Sequence, residues 1–70
     1  MFEPFVGEIV NAWNEWEDKW EVGIVTKYDG GYFWVKHEIP NPNPKVRRKY
    51  YHLWYKASEL IPVTPLTSIQ

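Results

Sequence analysis

The stretch VGIVTKYDGGYFWVKH, residues 22 to 37, decides the fold, because it is typical of two β-strands joined by a tight turn. In its second half two sets of side chains alternate, as they do on opposite faces of a strand: Phe33, Val35 and His37, and between them Tyr32, Trp34 and Lys36. Asp29-Gly30 predicts a two-residue type I′ turn, with room for a bulge at Gly31, because such turns need positive φ. The stretch therefore predicts a β-hairpin.

Further short strands are predicted on both sides of this hairpin. The predicted elements are strands at residues 5–13, 20–28, 32–37 and 49–55, a short 3₁₀ turn in KASEL, residues 56–60, and a last strand in IPVT, residues 61–64. The intervening IPNPNPKVRRK contains three prolines, which remove backbone donors and exclude regular structure. Five strands without a convincing helix predict an all-β, five-stranded antiparallel barrel in residues 1–64, followed by a tail, residues 65–70.

Length and composition limit the chain to one small domain. A chain of seventy residues without cysteine forms no stabilising disulfide bond, so its stability must come from a core rich in apolar side chains. Thirteen aromatic residues supply them, namely five Trp, five Tyr and three Phe. Aromatic and β-branched residues together favour strands over helices.

Charge and hydropathy exclude some classes of function. The net charge of −1 does not indicate tight, sequence-independent nucleic-acid binding, because such binding calls for a clearly basic face. No apolar run approaches the ~20 residues that span a membrane. The start, MFEPFVGEIV, lacks the basic and apolar regions of a secretion signal. We expect an intracellular, cytoplasmic or nuclear protein that does not contact membranes.

The segment AWNEWEDKWE, residues 12 to 21, allows two interpretations. Its tryptophans fit the spacing of one helical face, but charged Glu17 lies on the same stripe and β-like runs flank the segment. Such a segment is also too short for a stable isolated helix. We favour a long, acidic loop between the first two strands. Trp20, next to the alternating Val22 and Ile24, is expected to be largely buried, and Trp16 to be the most exposed of the three tryptophans.

Three pieces of the chain resemble the SH3-like barrels of the Tudor, Agenet and chromo-barrel kind. VGEIVNAWNE is similar to the family's opening "VGDxVxAxW-acidic" strand and loop, and KWEVGIVTKYDGGYFWVKH is similar to "WYxGxVxxxDGGxYxVxF". WYKASELIPV looks like the closing "W-x-x-x-S-x-L-x-P" segment. The resemblance spans residues 6 to 63 and implies a strongly bent five-stranded barrel with binding loops at one end.

Many members of this family hold a methylated lysine or arginine in an aromatic cage, where the cation gains from cation–π attraction. Carried onto this chain, the four cage positions fall on Trp13, on Trp20 or Glu21, on His37 and near Pro40. Two of the four are not good cage residues. Other SH3-like barrels bind unmodified peptides, subunits of a complex or nucleic acid, and a fold alone does not select among these.

Aromatic side chains are the candidate partner-binding residues. Exposed tryptophan in an acidic loop suits a cationic or proline-containing peptide. On the third strand the outward face would add an aromatic patch beside Tyr50 or Trp54, unless the proline-containing loop covers it. The predicted partner-binding residues are Trp13, Trp16, Glu17, Tyr32 and Trp34. The alternative is that one or two of the tryptophans only fill the barrel.

A basic cluster adjoins two tyrosines in the second half of the chain. It consists of Lys45, Arg47, Arg48 and Lys49. Positive charge beside aromatic rings can hold single-stranded nucleic acid through phosphate contact and base stacking, and it can also meet an acidic protein surface. The alternative is a solvated loop whose charges keep an edge strand from aggregating.

Catalytic and metal-binding signals are weak. His37 and His52 have no ligand spacing such as HExxH, and Ser58 lacks a GxSxG context. We expect no enzyme activity, no metal and no cofactor.

The sequence therefore predicts a non-enzymatic binding module, a monomer or small homo-oligomer. It would recognise a protein or peptide through its Trp-rich loop and neighbouring strand aromatics. The alternatives are a nucleic-acid-associated barrel that uses residues 45–49, and a small subunit or inhibitor that docks on a larger complex.

Overall fold

The computed structural model describes residues 2–39, 45 and 49–63 of the chain. Its elements are β1 (Ile9–Asn14), β2 (Lys19–Asp29), β3 (Tyr32–Ile39), β4 (Lys49–Tyr55), a 3₁₀ turn (Ala57–Glu59) and β5 (Leu60–Pro62). In the described ranges the prediction of an all-β chain with a 3₁₀ turn before the last strand is confirmed. The first strand begins at Ile9 rather than Phe5, because Val6 and Gly7 form a turn in which Gly7 has a φ of 99°.

The five strands form one antiparallel sheet in the order β4-β3-β2-β1-β5. The prediction of five antiparallel strands is thus confirmed. Between β4 and β5 no strand pairing joins the described residues, so the sheet is not closed by backbone pairing into a barrel. The first and last strands are nevertheless neighbours, with Ala12 opposite Leu60.

The predicted hairpin is present, with its turn one residue later than expected. Asp29 pairs with Tyr32, so the two central residues are Gly30 and Gly31, with φ values of 61° and 87°. A Gly-Gly pair adopts positive φ without a Cβ clash, which favours it over Asp-Gly at these positions. The irregularity lies instead in β2, where the register with β3 shifts between Val25 and Lys27.

The core lies on one face of the sheet. Its buried hydrophobic residues are Val10, Ala12, Val25, Phe33, Val35, Tyr55 and Leu60. The two alternating sets of β3 lie on opposite faces, since Phe33 and Val35 are buried and Tyr32 is exposed. Among the polar and charged residues of the described chain, His37 alone is buried, with 2% of its surface exposed.

Gly23 allows β2 to lie close to β3. A Cβ atom at this position would overlap Cγ1 of Val35 and come within 2.9 Å of the carbonyl oxygen of Lys36. Gly23 is itself buried, opposite Val10. The absence of a side chain here is therefore a requirement of packing.

The connection between β1 and β2 is a tight turn, residues 15–18, and not a helix. The strands are paired up to the turn, with Trp13 opposite Trp20 and Asn14 opposite Lys19. The prediction of a loop holds, but the loop is shorter than expected. The expectation that Trp20 is largely buried is wrong: 43% of its surface is exposed, because it pairs with Trp13 on the face opposite Ala12.

Candidate functional site

A groove lined by three tryptophans lies where the β1–β2 turn meets the end of β4 and the 3₁₀ turn. It has a volume of about 330 Å³ and is lined by Trp13, Glu15, Trp16, Leu53, Trp54, Tyr55 and Glu59. We call it the Trp groove. It joins Trp13 and Trp16, two of the residues predicted from the sequence, to residues more than 30 positions away in the chain. Two carboxylates border these indole rings.

Hydrogen bonds hold the turn that carries Trp16. The backbone N–H groups of Trp16 and Glu17 each donate to Oδ1 of Asn14, at 3.0 Å. Asp18 adopts a φ of 54°, which aspartate tolerates better than most residues. Trp16 itself is 84% exposed, so its ring is presented to solvent as expected. Hydrogen bonds therefore hold the backbone that carries this ring, whereas the ring itself does not pack into the core.

A second aromatic depression, of about 270 Å³, adjoins the Trp groove. Its lining residues are Asp29, Gly30, Tyr32, Trp34 and Trp54. The rings of Trp34 and Trp54, which are opposite each other on β3 and β4, have centroids 5.2 Å apart. Because Trp54 lines both depressions, four of the five predicted partner-binding residues surround it.

From the sequence, Trp54 was expected only as a possible neighbour of Trp34. The structure places it between the Trp groove and the Tyr32–Trp34 depression, and leaves it exposed. The signal was present in the alternation of β4, where Tyr50, His52 and Trp54 share one face. What the alternation could not show is that β4 ends beside Trp13.

Glu17, the fifth predicted residue, lies apart from the Trp groove. Its carboxylate is 3.2 Å from Nζ of Lys19, and its hydrogen bond and charge raise the pKa of that lysine. It lines a third depression, of about 530 Å³, together with Trp20 and Tyr51. The carboxylates beside the groove tryptophans are those of Glu15 and Glu59 instead.

A hydrogen-bond network forms part of the lining of this third depression. The carboxylate of Glu21 accepts from the Tyr51 hydroxyl at 3.0 Å and from Nδ2 of Asn14 at 3.3 Å. Burial pushes the pKa of Glu21 up, but these hydrogen bonds and the charge of Lys19 outweigh it, so the pKa is lowered. Burial and the bond to Glu21 raise the pKa of Tyr51. The network therefore favours an ionised Glu21 beside a neutral Tyr51.

The positions that correspond to an aromatic cage do not present four open ring faces. Trp13 and Trp20 contact each other edge to face, with centroids 5.1 Å apart. His37 is buried and its ring stacks on Tyr51, with centroids 5.1 Å apart. The fourth position, Pro40, lies outside the described residues.

Half of the predicted basic cluster can be placed. Lys45 and Lys49 are exposed, whereas Arg47 and Arg48 lie outside the described residues. The described ranges contain no group of three or more metal-ligating side chains and no helix long and apolar enough to cross a membrane.

Comparison of the chain with protein-family models, with curated proteins and with solved structures gave no match.

Proposed function

We propose that this chain is a non-enzymatic binding module that docks a protein or peptide partner on the Trp groove and the adjoining Tyr32–Trp34–Trp54 surface. The observation that carries the proposal is the 84% exposure of Trp16 on a turn held by Asn14, next to Trp13 and Trp54. An exposed indole ring buries little apolar surface in the free protein, whereas tryptophan is enriched among residues that dominate binding energy.

The charge around the groove favours a partner that carries positive charge. Glu15 and Glu59 line it with the indole rings, and no Lys or Arg is among its lining residues in the described chain. Cations are attracted both by carboxylates and by indole faces. The intracellular location expected from the sequence is part of the same proposal.

The fold proposed for this module is a small SH3-like barrel of the Tudor, Agenet and chromo-barrel kind. Two features that support it are the pairing of the first and last strands and the 3₁₀ turn that leads into β5. A third is the register shift in β2, because such an irregularity bends a strand. The Trp groove also brings Leu53 of β4 near Trp13 of β1. Nuclear Overhauser effects between the Trp13 ring and the Leu53 methyl groups would test this closure.

The function is tested by affinity capture from a lysate with the tagged chain at low and high salt, with and without nuclease. We expect protein partners that survive nuclease and high salt, and that are lost from the Trp16→Ala variant. Phe5→Ala is the matched control, because Phe5 is also an exposed aromatic residue but lies outside both depressions of this surface.

Two results would contradict the proposal. Partners retained by Trp16→Ala at wild-type level would show that the Trp groove is not the docking site. Partners lost on nuclease treatment and at high salt would favour nucleic-acid contact through the basic segment that includes Lys45 and Lys49, because phosphate-driven binding weakens steeply with ionic strength.

A further inference from the structure

The strand β4 forms an open edge of the sheet. It has seven residues, pairs with β3 without a register shift, and pairs with no strand of the described chain on its other side. The strand at the other edge, β5, has three residues and ends at Pro62, which lacks a backbone donor. Short strands, prolines and bulges protect sheet edges from further pairing. Because β4 has none of these three features, it is the edge on which another strand can pair.

Three residues of β4 direct their backbone toward this open edge. On β3 the carbonyl oxygen of Trp34 accepts a hydrogen bond from Oγ1 of Thr26 on β2, so the backbone of Trp34 faces β2. Trp34 lies opposite Trp54, and this pair is therefore not hydrogen-bonded. Since hydrogen-bonded and non-hydrogen-bonded pairs alternate in an antiparallel ladder, the N–H and C=O groups of Tyr50, His52 and Trp54 point away from β3. Within the described residues no other backbone group bonds to them.

On the basis of the function proposed above, we propose that the docked segment of the partner is an extended peptide that pairs with the open edge of β4. The Trp groove lies at the end of this strand, where Leu53, Trp54 and Tyr55 line it, so a peptide paired with β4 extends into the groove. In this mode of recognition main-chain hydrogen bonds give affinity, and contacts of alternate side chains give specificity.

Charge at the two ends of β4 favours an antiparallel peptide. The carboxylates of Glu15 and Glu59 line the groove at the Tyr55 end, and exposed Lys49 begins the strand at the other end. An antiparallel peptide places its N-terminal end beside Tyr55, and antiparallel pairing is slightly more stable than parallel pairing. We therefore expect a basic residue near the N-terminal end of the peptide and an acidic residue near its C-terminal end.

The faces of β4 set the pattern between these ends. On the core side Tyr55 is buried, and Tyr51 and Leu53 are half-buried. On the outer side Tyr50 and Trp54 are exposed. A strand beside β4 would cover the core side with every second side chain and leave the others in water. The expected segment therefore alternates apolar and polar residues.

Hydrogen exchange measured by NMR on the full chain tests the inference directly. The probe is the capped peptide Arg-Val-Thr-Val-Thr-Val-Glu, and the control is the same peptide in reverse order. We expect the first peptide to protect the amides of Tyr50, His52 and Trp54 from exchange. The reversed peptide should bind about threefold to tenfold more weakly, because it places like charges together at both ends.

Substitution of His52 tests the role of the backbone. His52→Pro removes one outward donor without removing a bond to β3, a position at which edge strands tolerate proline. His52→Ala is the matched control, because it lacks the same side chain but keeps the amide. We expect His52→Pro to bind the first peptide about threefold to tenfold more weakly than His52→Ala. Circular dichroism would verify that both variants are folded.

Several results would overturn the inference. They are no protection of the three amides at about 5 mM peptide, equal binding of the two peptides, and equal binding by His52→Pro and His52→Ala. Protection that grows with protein concentration without peptide would show that a second copy occupies the edge instead. Lysate partners that depend on Trp16 but bind both His52 variants equally would also overturn it, while the proposed function would stand. Partners indifferent to Trp16→Ala would contradict the proposed function itself.

Discussion

The ring nitrogen Nε2 of His37 lies 2.9 Å from the hydroxyl oxygen of Tyr55, and this contact joins β3 to β4 inside the sheet. The other nitrogen, Nδ1, lies 2.9 Å from the carbonyl oxygen of Val22 on β2. Because a carbonyl oxygen can only accept, Nδ1 carries a proton, and in the neutral ring the Tyr55 hydroxyl donates to Nε2. One side chain thus ties three strands together, which gives His37 a structural role.

The hydroxyl of Tyr55 should contribute measurably to stability. Tyr55→Phe leaves Nε2 of His37 buried without a donor, which we expect to lower the free energy of unfolding by about 1–3 kcal/mol. Urea denaturation followed by tryptophan fluorescence would measure this. Tyr50→Phe is the control, because Tyr50 is exposed and should change stability by less than about 0.5 kcal/mol. Equal stability of Tyr55→Phe and wild type would contradict the hydrogen bond.

Alkaline pH should destabilise the protein through the same tyrosine. Burial, aided by the charges of Tyr51, Glu21 and Glu59, raises the pKa of Tyr55 to about 12 from an ordinary value of 10.0. The folded state therefore holds this proton where the unfolded state has lost it, so stability is full below about pH 10 and falls as pH rises toward 12. Absorbance titration of tyrosinate should show late-titrating tyrosines, and the one that titrates last should be missing from Tyr55→Phe. Simultaneous ionisation of all five tyrosines in the folded protein would contradict this.

Gly23→Ala should destabilise the sheet, although alanine is a better strand residue than glycine. The added methyl group would overlap Cγ1 of Val35 and approach the carbonyl oxygen of Lys36, and neither atom belongs to a long, flexible side chain. Overpacking of this kind costs about 1–3 kcal/mol. A thermal denaturation midpoint at or above the wild-type value would show that β2 and β3 are further apart than described.

Trp20→Ala should be tolerated better than the sequence led us to expect. With 43% of its surface exposed and Trp13 as its main ring contact, Trp20 should contribute about 1–2 kcal/mol, below the roughly 3–5 kcal/mol of a core aromatic residue. Phe33→Ala is the comparison, because Phe33 is only 6% exposed. If Trp20→Ala costs as much as Phe33→Ala by denaturation, the face assigned to Trp20 is wrong.

Local pattern was sufficient for most of the fold. The alternation in residues 32–37 predicted that Phe33 and Val35 share one face, and Asp29-Gly30 predicted the hairpin. The turn was placed one residue early because Asp-Gly and Gly-Gly both permit positive φ, and only the pairing of Asp29 with Tyr32 distinguishes them. The register shift in β2 gave no signal, since it follows from how two distant strands align.

The candidate site was only partly predictable. Trp16 was expected to be exposed because charged residues surround it, and the structure agrees. Glu17 was expected beside the tryptophans, but in a tight turn neighbouring residues point in different directions, so Glu17 pairs with Lys19 and Glu15 lines the groove. Trp54 lies in the groove because of the path that the chain takes after β3. Local sequence patterns do not predict that path.

The sequence by itself determined which stretches of the chain form strands, that a tight hairpin joins β2 to β3, and which side chains share a face of one strand. These properties depend on backbone preferences and on an alternation of period two, both of which act over a few residues. Only the tertiary structure decided which faces are covered. It exposed Trp20 with Val22 and Ile24 of the same strand, and it brought Trp54 beside Trp13, because burial depends on how strands distant in the chain align.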